Sequence, residues 1–298
     1  MEKRRLGRTG LEVTLLGFGA SEIGYQNVAL PTVARLLNSA LDAGLNLVDT
    51  ASCYANSEEL IGAAIGGRRT EYYLMTKCGH SAGLPFLEWT PELIPRSIEQ
   101  SLHRLRTDYL DVVQFHSCDA GTMRNDDLIA ALVTARDRGH TRFIGFSGDG
   151  ENAAYAVGLG IFDTLQISIS VADQDALDSV LPLAIAHDMG IIAKRPLANA
   201  AWIYSRSGIG SYERPYWERL RKLKYPFLRD ESPTAVGTAL RFTLSVPGVH
   251  TAIVGTTRPY RWEQNAALLT AGRLPTADFD AIRRRWRAVS RPDWSGQR

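Results

Sequence analysis

Short apolar runs rich in β-branched and aromatic residues alternate along this chain with longer amphipathic stretches, and a Gly or Asp stands before most new runs. That alternation of short apolar runs with helical stretches predicts parallel βαβ units. The strand candidates fall at 15–19, 45–49, 72–77, 110–116, 142–147, 164–168, 190–195 and 251–255. Helix candidates fall at 31–43, 57–65, 91–105, 126–138, 151–157, 178–187, 234–245 and 259–270. Gly44, Gly66, Gly139 and Gly190 stand where a helix end favours a left-handed residue, and Pro31 and Pro91 suit a first helical turn. Eight strands alternating with eight helices predict an α/β fold of the (β/α)8 TIM-barrel type, with residues 1–298 forming one domain.

Three stretches lie outside that repeat. Residues 4–6 and 11–13 flank Arg8, Thr9 and Gly10, which reads as a short β-hairpin with Gly at its turn, placed to plug the barrel floor. Residues 195–233 exceed a simple connection and are rich in aromatics (Trp202, Tyr204, Tyr212, Tyr216, Trp217), the make-up of a lid or binding loop. Extra helices are expected in this loop, after the seventh barrel strand, and at the C-terminus. In the C-terminal stretch Phe279, Ile282, Trp286 and Val289 recur at helical spacing, while Arg283, Arg284, Arg285 and Arg287 fill the other face, which reads as solvated. A doubly wound sheet would carry a glycine-rich fingerprint after its first strand, and Gly17, Phe18, Gly19 do not complete one.

Composition narrows the function classes. With 45% apolar and 22% charged residues, the chain can bury a sizeable core without disulfide or metal staples. Lys and Arg (34) nearly balance Asp and Glu (32) and are scattered elsewhere, so no nucleic-acid footprint appears. The start, Met1 to Arg5, lacks the apolar run of a signal peptide, and no stretch approaches the ~20 apolar residues that cross a bilayer. No membrane partner and a cytoplasmic location are expected. An odd count of three cysteines fits a reducing compartment.

The candidate chemistry sits at the ends of the second, third and fourth predicted strands. A barrel of this type carries its catalytic residues at the C-terminal strand ends, because the βα loops there form one rim. Strand two ends at Asp49 with Tyr54 just beyond, strand three at Lys77 and strand four at His116. Hydride attack on a carbonyl places negative charge on its oxygen, so such a site needs a proton donor and polar groups aimed at that oxygen. Tyr54 and His116 can supply both. A free phenol is a weak acid at neutral pH, a neighbouring ammonium such as Lys77 would favour its ionisation, and Asp49 would hold that ammonium charged.

This set, in order and spacing, resembles the catalytic tetrad of the aldo-keto reductases. The opening Arg5, Leu6, Gly7, Arg8, Thr9, Gly10, Leu11 and the run Gly17, Phe18, Gly19 support the resemblance, which spans nearly the whole chain. It implies reversible reduction of aldehydes or ketones, with Tyr54 as proton donor, Lys77 and Asp49 as its tuning pair, and His116 orienting the carbonyl. Sugar or polyol dehydrogenation is a variant of the same chemistry. A cofactor-binding regulatory subunit, like the potassium-channel β subunits that resemble the family, is the alternative of another class. A metal-dependent hydrolase would need His and carboxylate ligands at several strand ends, and only His116 is so placed.

The resemblance also implies a cofactor site. Ser147 and Gln166 would hold the nicotinamide carboxamide, although Gly148 stands where the family has Asn. Where the family stacks the nicotinamide on a Tyr, this chain reads Ala193, Lys194, Arg195, Pro196, Leu197, so Lys194 or Arg195 would face the ring or the pyrophosphate. After strand eight, Thr256 and Arg261 would meet the ribose 2′-phosphate, and Gln264 and Asn265 the adenine. Arg261 favours NADPH, while Gly255 in place of a common Lys leaves NADH possible. Tyr25, Trp89, Trp202 and Trp294 are candidates for the wall of a substrate pocket that takes a small-molecule carbonyl compound. Cys53, Cys78 and Cys118 flank the tetrad, but their spacing suits no zinc site and no metal is expected; Cys53 lines the pocket or senses oxidants. The sequence leaves the oligomeric state unknown.

Overall fold

The strands form a closed sheet and alternate their residues between two apolar environments, one inside it and one under the surrounding helices. The computed structural model describes residues 1–228 and 233–296. A two-stranded antiparallel sheet pairs β1 (Lys3–Arg5) with β2 (Glu12–Thr14). Eight parallel strands then follow: β3 (Leu16–Gly19), β4 (Leu47–Asp49), β5 (Tyr73–Cys78), β6 (Leu110–His116), β7 (Thr141–Ser147), β8 (Thr164–Ser168), β9 (Gly190–Lys194) and β10 (Val249–Val254). Each pairs with its neighbour in sequence, and β10 closes on β3. Leu47, Met75, Val112, Ile192 and Ile253 point into the barrel, where Leu6, Leu11 and Val13 of the N-terminal hairpin join them in one small apolar cluster. Their sequence neighbours Val48, Leu74, Val113, Ile191 and Ala252 face the helices in a separate, larger core.

The plug is pinned by polar contacts as well as by packing. Arg8 donates to the carbonyl of Phe162 at 2.5 Å and to Asp163 at 3.1 Å, and Arg4 donates to the carbonyls of Leu244 and Val249 at 3.0 and 2.7 Å. Gly7, at a φ of +49°, lies so close to the Met189 and Gly190 backbone that no side chain fits.

Some local expectations give way to these tertiary contacts. Gly44 and Gly139 are left-handed, at φ +97° and +81°, but Gly66 is right-handed helical and Gly190 opens β9. Gly190 is small for a packing reason: a Cβ there would stand 2.6 Å from Leu6 of the plug. The helix expected over 178–187 is instead a pair, Asp175–Ser179 and Leu181–Ala186, because Pro182 has no N–H to return to the carbonyl four residues earlier. The helix expected over 259–270 is Arg261–Ala267 followed by a 3-10 turn, Leu268–Ala271. Ser21–Tyr25 forms a short helix that the pattern did not announce.

Extra helices occupy the loop after β9 (Arg214–Leu223) and the C-terminal region (Thr276–Val289). The arginine face of the latter is not simply solvated. Arg283 is buried and grips both carboxylate oxygens of Asp178 at 2.7 Å, and Arg285 donates to the carbonyls of Leu223 and Lys222. Trp294 is no rim aromatic either: it is buried against Trp286 at 5.5 Å, and Arg219 donates to the neighbouring Ser295 carbonyl at 2.7 Å. The last two residues of that tail, Gln297 and Arg298, and 229–232 of the long loop lie outside the described residues. Among the described residues no helix is long and apolar enough to cross a membrane.

Candidate active site

Parallel strands deliver their C-terminal ends to one rim, so Asp49, Lys77, His116 and Ser147 arrive at the same mouth from β4, β5, β6 and β7. There Lys77 Nζ donates to Asp49 Oδ2 at 2.7 Å and to the Thr50 carbonyl at 2.8 Å, and both ionic side chains are almost wholly buried. Gln166 Nε2 donates to the other oxygen, Asp49 Oδ1, at 2.9 Å, and Ser147 Oγ donates to Gln166 Oε1 at 2.9 Å. One hydrogen-bonded chain therefore links the residues expected to hold a carboxamide with the buried ion pair. The sequence offered no sign of this link, because Gln166 and Asp49 are 117 residues apart.

Tyr54 stands on the loop after β4, half-buried, with its ring centroid 5.0 Å from Lys77 Nζ and 5.4 Å from the edge-on His116 ring. A short backbone turn fixes this loop: Tyr54 N–H donates to the Ala51 carbonyl, and Ser57 Oγ donates to the Ala20 carbonyl while sharing a hydrogen bond with Thr50 Oγ1. The short helix Ser21–Tyr25 lies against the same turn, and Gly24 touches the Tyr54 carbonyl where any Cβ would collide.

Burial, and after it the Asp49 carboxylate, push the Tyr54 hydroxyl well above the usual phenol range, with Arg195 acting the other way. This differs from the expectation that Lys77 makes the phenol more acidic. The ammonium is neutralised by Asp49 and directs two of its three N–H groups to Asp49 and Thr50, so the cost of a buried phenolate dominates. Burial, followed by the charges of Lys77, His80, Lys194 and Arg195, holds His116 well below the usual imidazole range, so its ring is neutral. Its Nδ1 lies 3.2 Å from Cys53 Sγ.

An aromatic wall stands beside the tetrad. Tyr25 is exposed, with its ring 5.6 Å from Tyr54 and its hydroxyl donating to the Cys53 carbonyl at 3.4 Å. Trp89 stacks edge-on with His80 at 5.3 Å, and His80 meets His116 at 5.4 Å. His80 escaped the sequence reading, although an ionisable residue three positions beyond Lys77 on the same rim was a readable sign. Trp202 packs half-buried against the larger core rather than joining this group.

At the end of β9 both cations expected to face the cofactor have partners within the chain. Lys194 Nζ pairs with Asp149 at 3.0 Å, and Asp149 also accepts from the Ser168 N–H at 2.7 Å and the Ser168 hydroxyl at 3.1 Å. Arg195 takes a left-handed φ of +55° and donates from Nε to the Tyr212 hydroxyl at 3.1 Å. Pro196 is buried and Leu197 half-buried, followed by a left-handed run through Ala198, Asn199 and Ala200. Gly148 is not a simple loss, since a Cβ there would lie 2.5 Å from the buried Phe146 ring. Gly148→Asn is accordingly expected to lower the melting temperature by several degrees without tightening nicotinamide cofactor binding, as read by thermal unfolding and cofactor titration.

On the opposite side of the rim, the buried Thr256 accepts from the Arg258 N–H at 3.1 Å through its Oγ1. Arg261, exposed, opens the helix Arg261–Ala267, with Gln264 exposed and Asn265 buried behind it, and Gly255 passes within 3.0 Å (Cβ position) of the Gly19 carbonyl. The donor set suits a nicotinamide dinucleotide: a hydroxyl and an amide at the barrel mouth, and a hydroxyl, a guanidinium and backbone N–H groups at the far end. Among the described residues, no three His, Cys, Asp or Glu side chains cluster as metal ligands would.

Known proteins resemble this chain in family and in fold. The model of the aldo/keto reductase family matches residues 15–287. An uncharacterized oxidoreductase of Bacillus subtilis, YqkF, is 28% identical over 303 residues, covering 95% of each chain. L-galactose dehydrogenase of Arabidopsis thaliana is 28% identical over 288 residues, covering 91% of this chain and 88% of its own. The aldo-keto reductase AKR11C1 of Bacillus halodurans, solved in its holo form, superposes with a TM-score of 0.83 over 98% of this chain and 99% of its own at 24% identity, which speaks to the fold.

Proposed function

The chain belongs to the aldo/keto reductase family of NAD(P)H-dependent oxidoreductases, and from that premise we propose that it reduces aldehydes or ketones to alcohols with NADPH, reversibly, using Tyr54 as the proton donor. The observation that carries this reading is the half-buried Tyr54 ring set 5.0 Å from a buried Lys77–Asp49 pair and 5.4 Å from His116.

Each residue has a separable part. Ser147 and Gln166 would hold the cofactor's carboxamide, Thr256 and Arg261 its 2′-phosphate, and Gln264 and Asn265 its adenine. When bound, the reduced nicotinamide supplies the hydride. His116, neutral and therefore able to donate one N–H without repelling the nearby cations, orients the carbonyl oxygen. Tyr54 keeps its proton throughout the neutral range and releases it only to the developing alkoxide, which is far more basic than any phenolate. Lys77 stabilises the phenolate left behind, and Asp49, held by Gln166, pairs with Lys77 and keeps it in place. Tyr25, Trp89 and His80 wall a site for a small carbonyl compound. Sugar or polyol dehydrogenation is the same chemistry in reverse.

The reading is tested by following NADPH absorbance in a panel of aldehydes, ketones and aldoses, and NADP+ reduction with the matching alcohols. Substrate-dependent loss of absorbance supports it; a panel with no turnover, from protein that binds NADPH, removes it. Arg261→Ala is expected to raise the KM for NADPH roughly tenfold and leave that for NADH unchanged, as befits a guanidinium that meets only the 2′-phosphate.

A further inference from the structure

Cys53 immediately precedes Tyr54, and its Sγ lies 3.2 Å from His116 Nδ1. This is a specific contact: the thiol is largely enclosed, its own carbonyl is held by the Tyr25 hydroxyl, and the His116 ring is fixed from two other sides by the Tyr54 and His80 rings at 5.4 Å each. An imidazole that orients a carbonyl must present an N–H to it, and which nitrogen carries the proton is decided by the partner of the other nitrogen. We propose that Cys53 is a positioning residue, donating its S–H to His116 Nδ1 and so fixing the tautomer in which Nε2 bears the proton for the substrate oxygen. The inference rests on the role of His116 given above.

Three observations favour this direction of the hydrogen bond. A thiol sulfur is a poor acceptor, whereas an unprotonated imidazole nitrogen is a good one, so S–H to N is the stronger pairing. Burial pushes the Cys53 thiol up, with Lys77 opposing, so sulfur holds its proton. A thiolate–imidazolium pair would place a positive ring among Lys77, Lys194 and Arg195, the charges that already disfavour it. The other two cysteines do not share this role: Cys78 and Cys118 are buried in the larger core.

Nitrogen-15 NMR of histidine-labelled protein tests the proposal without relying on turnover. His116 is assigned by its absence from His116→Gln, and the protonated and unprotonated ring nitrogens resonate far apart. The expected wild-type result is a neutral ring with Nε2 protonated. Cys53→Ala should redistribute the tautomers and lower kcat for NADPH reduction of 4-nitrobenzaldehyde about tenfold, with the KM for NADPH unmoved. Cys53→Ser, whose hydroxyl also donates, should restore both. A wild-type ring protonated at Nδ1, a charged ring facing a thiolate, or a tautomer indifferent to Cys53→Ala would each overturn the proposal. Should the Ala variant fail to fold, the wild-type tautomer still decides. A Cys53-dependent Nε2–H tautomer in a protein that reduces no carbonyl would count against the enzymatic reading and not against this contact.

Discussion

Tyr54→Phe is expected to lower kcat for every carbonyl substrate by about a thousandfold while leaving NADPH affinity within about twofold of the parent. Phenylalanine keeps the ring that packs edge-on against His116 and lies over Lys77, so only the hydroxyl is lost. The buried Asp49–Lys77 pair is held by hydrogen bonds to Gln166 and Thr50, and should survive intact. The pH profile of the parent carries the same information. Because burial and the Asp49 carboxylate hold the Tyr54 proton on beyond the usual phenol range, kcat should stay level through neutral pH and fall only on the far alkaline side. A fall near neutrality would mean another group gives the proton. A Phe variant that retains more than a tenth of the parent rate would remove Tyr54 as the acid. A parent that binds NADPH but reduces nothing would favour a regulatory subunit.

The barrel was legible because short apolar runs alternate regularly with longer amphipathic stretches, and the strands read as unbroken runs because their plug-side and helix-side positions are both apolar. The tetrad was legible for a related reason. Parallel strands put their C-terminal residues on one rim, so polar residues ending three consecutive strands had to meet. What could not be read were side chains that choose partners across the sheet. Gln166 reaches Asp49 across the mouth of the barrel, and Lys194 turns to Asp149 rather than standing free for a ring. Gly148 looked like a lost amide, yet it comes with Phe146 filling its space and Asp149 tying Ser168 and Lys194 together one residue later. Arg283 looked solvated because its helix offers another apolar face, and only docking reveals that Asp178 waits opposite it. Helix ends were blurred by Pro182 and Tyr260, whose effects depend on carbonyls and turns no periodicity displays.

Lys77→Met should produce the second large effect, in stability as much as in rate. Lys77 and Asp49 are both nearly inaccessible, and removing the ammonium leaves a buried carboxylate whose remaining side-chain partner, among the described residues, is Gln166. Breaking such a pair from one side costs about 3–5 kcal/mol, which for a chain of this size corresponds to a melting temperature lower by roughly 10 °C. Activity should fall with it, since the phenolate formed at Tyr54 loses the cation 5.0 Å from its ring. The double variant Asp49→Asn/Lys77→Met separates the two effects. With both charges gone, the amide of Asn can still meet Gln166, so most of the lost stability should return while turnover stays low. Thermal unfolding and steady-state rates on the two variants make the comparison. Recovery of both stability and rate in the double variant would show that the pair serves only to hold the barrel mouth together, and that the proton donated by Tyr54 needs no neighbouring charge.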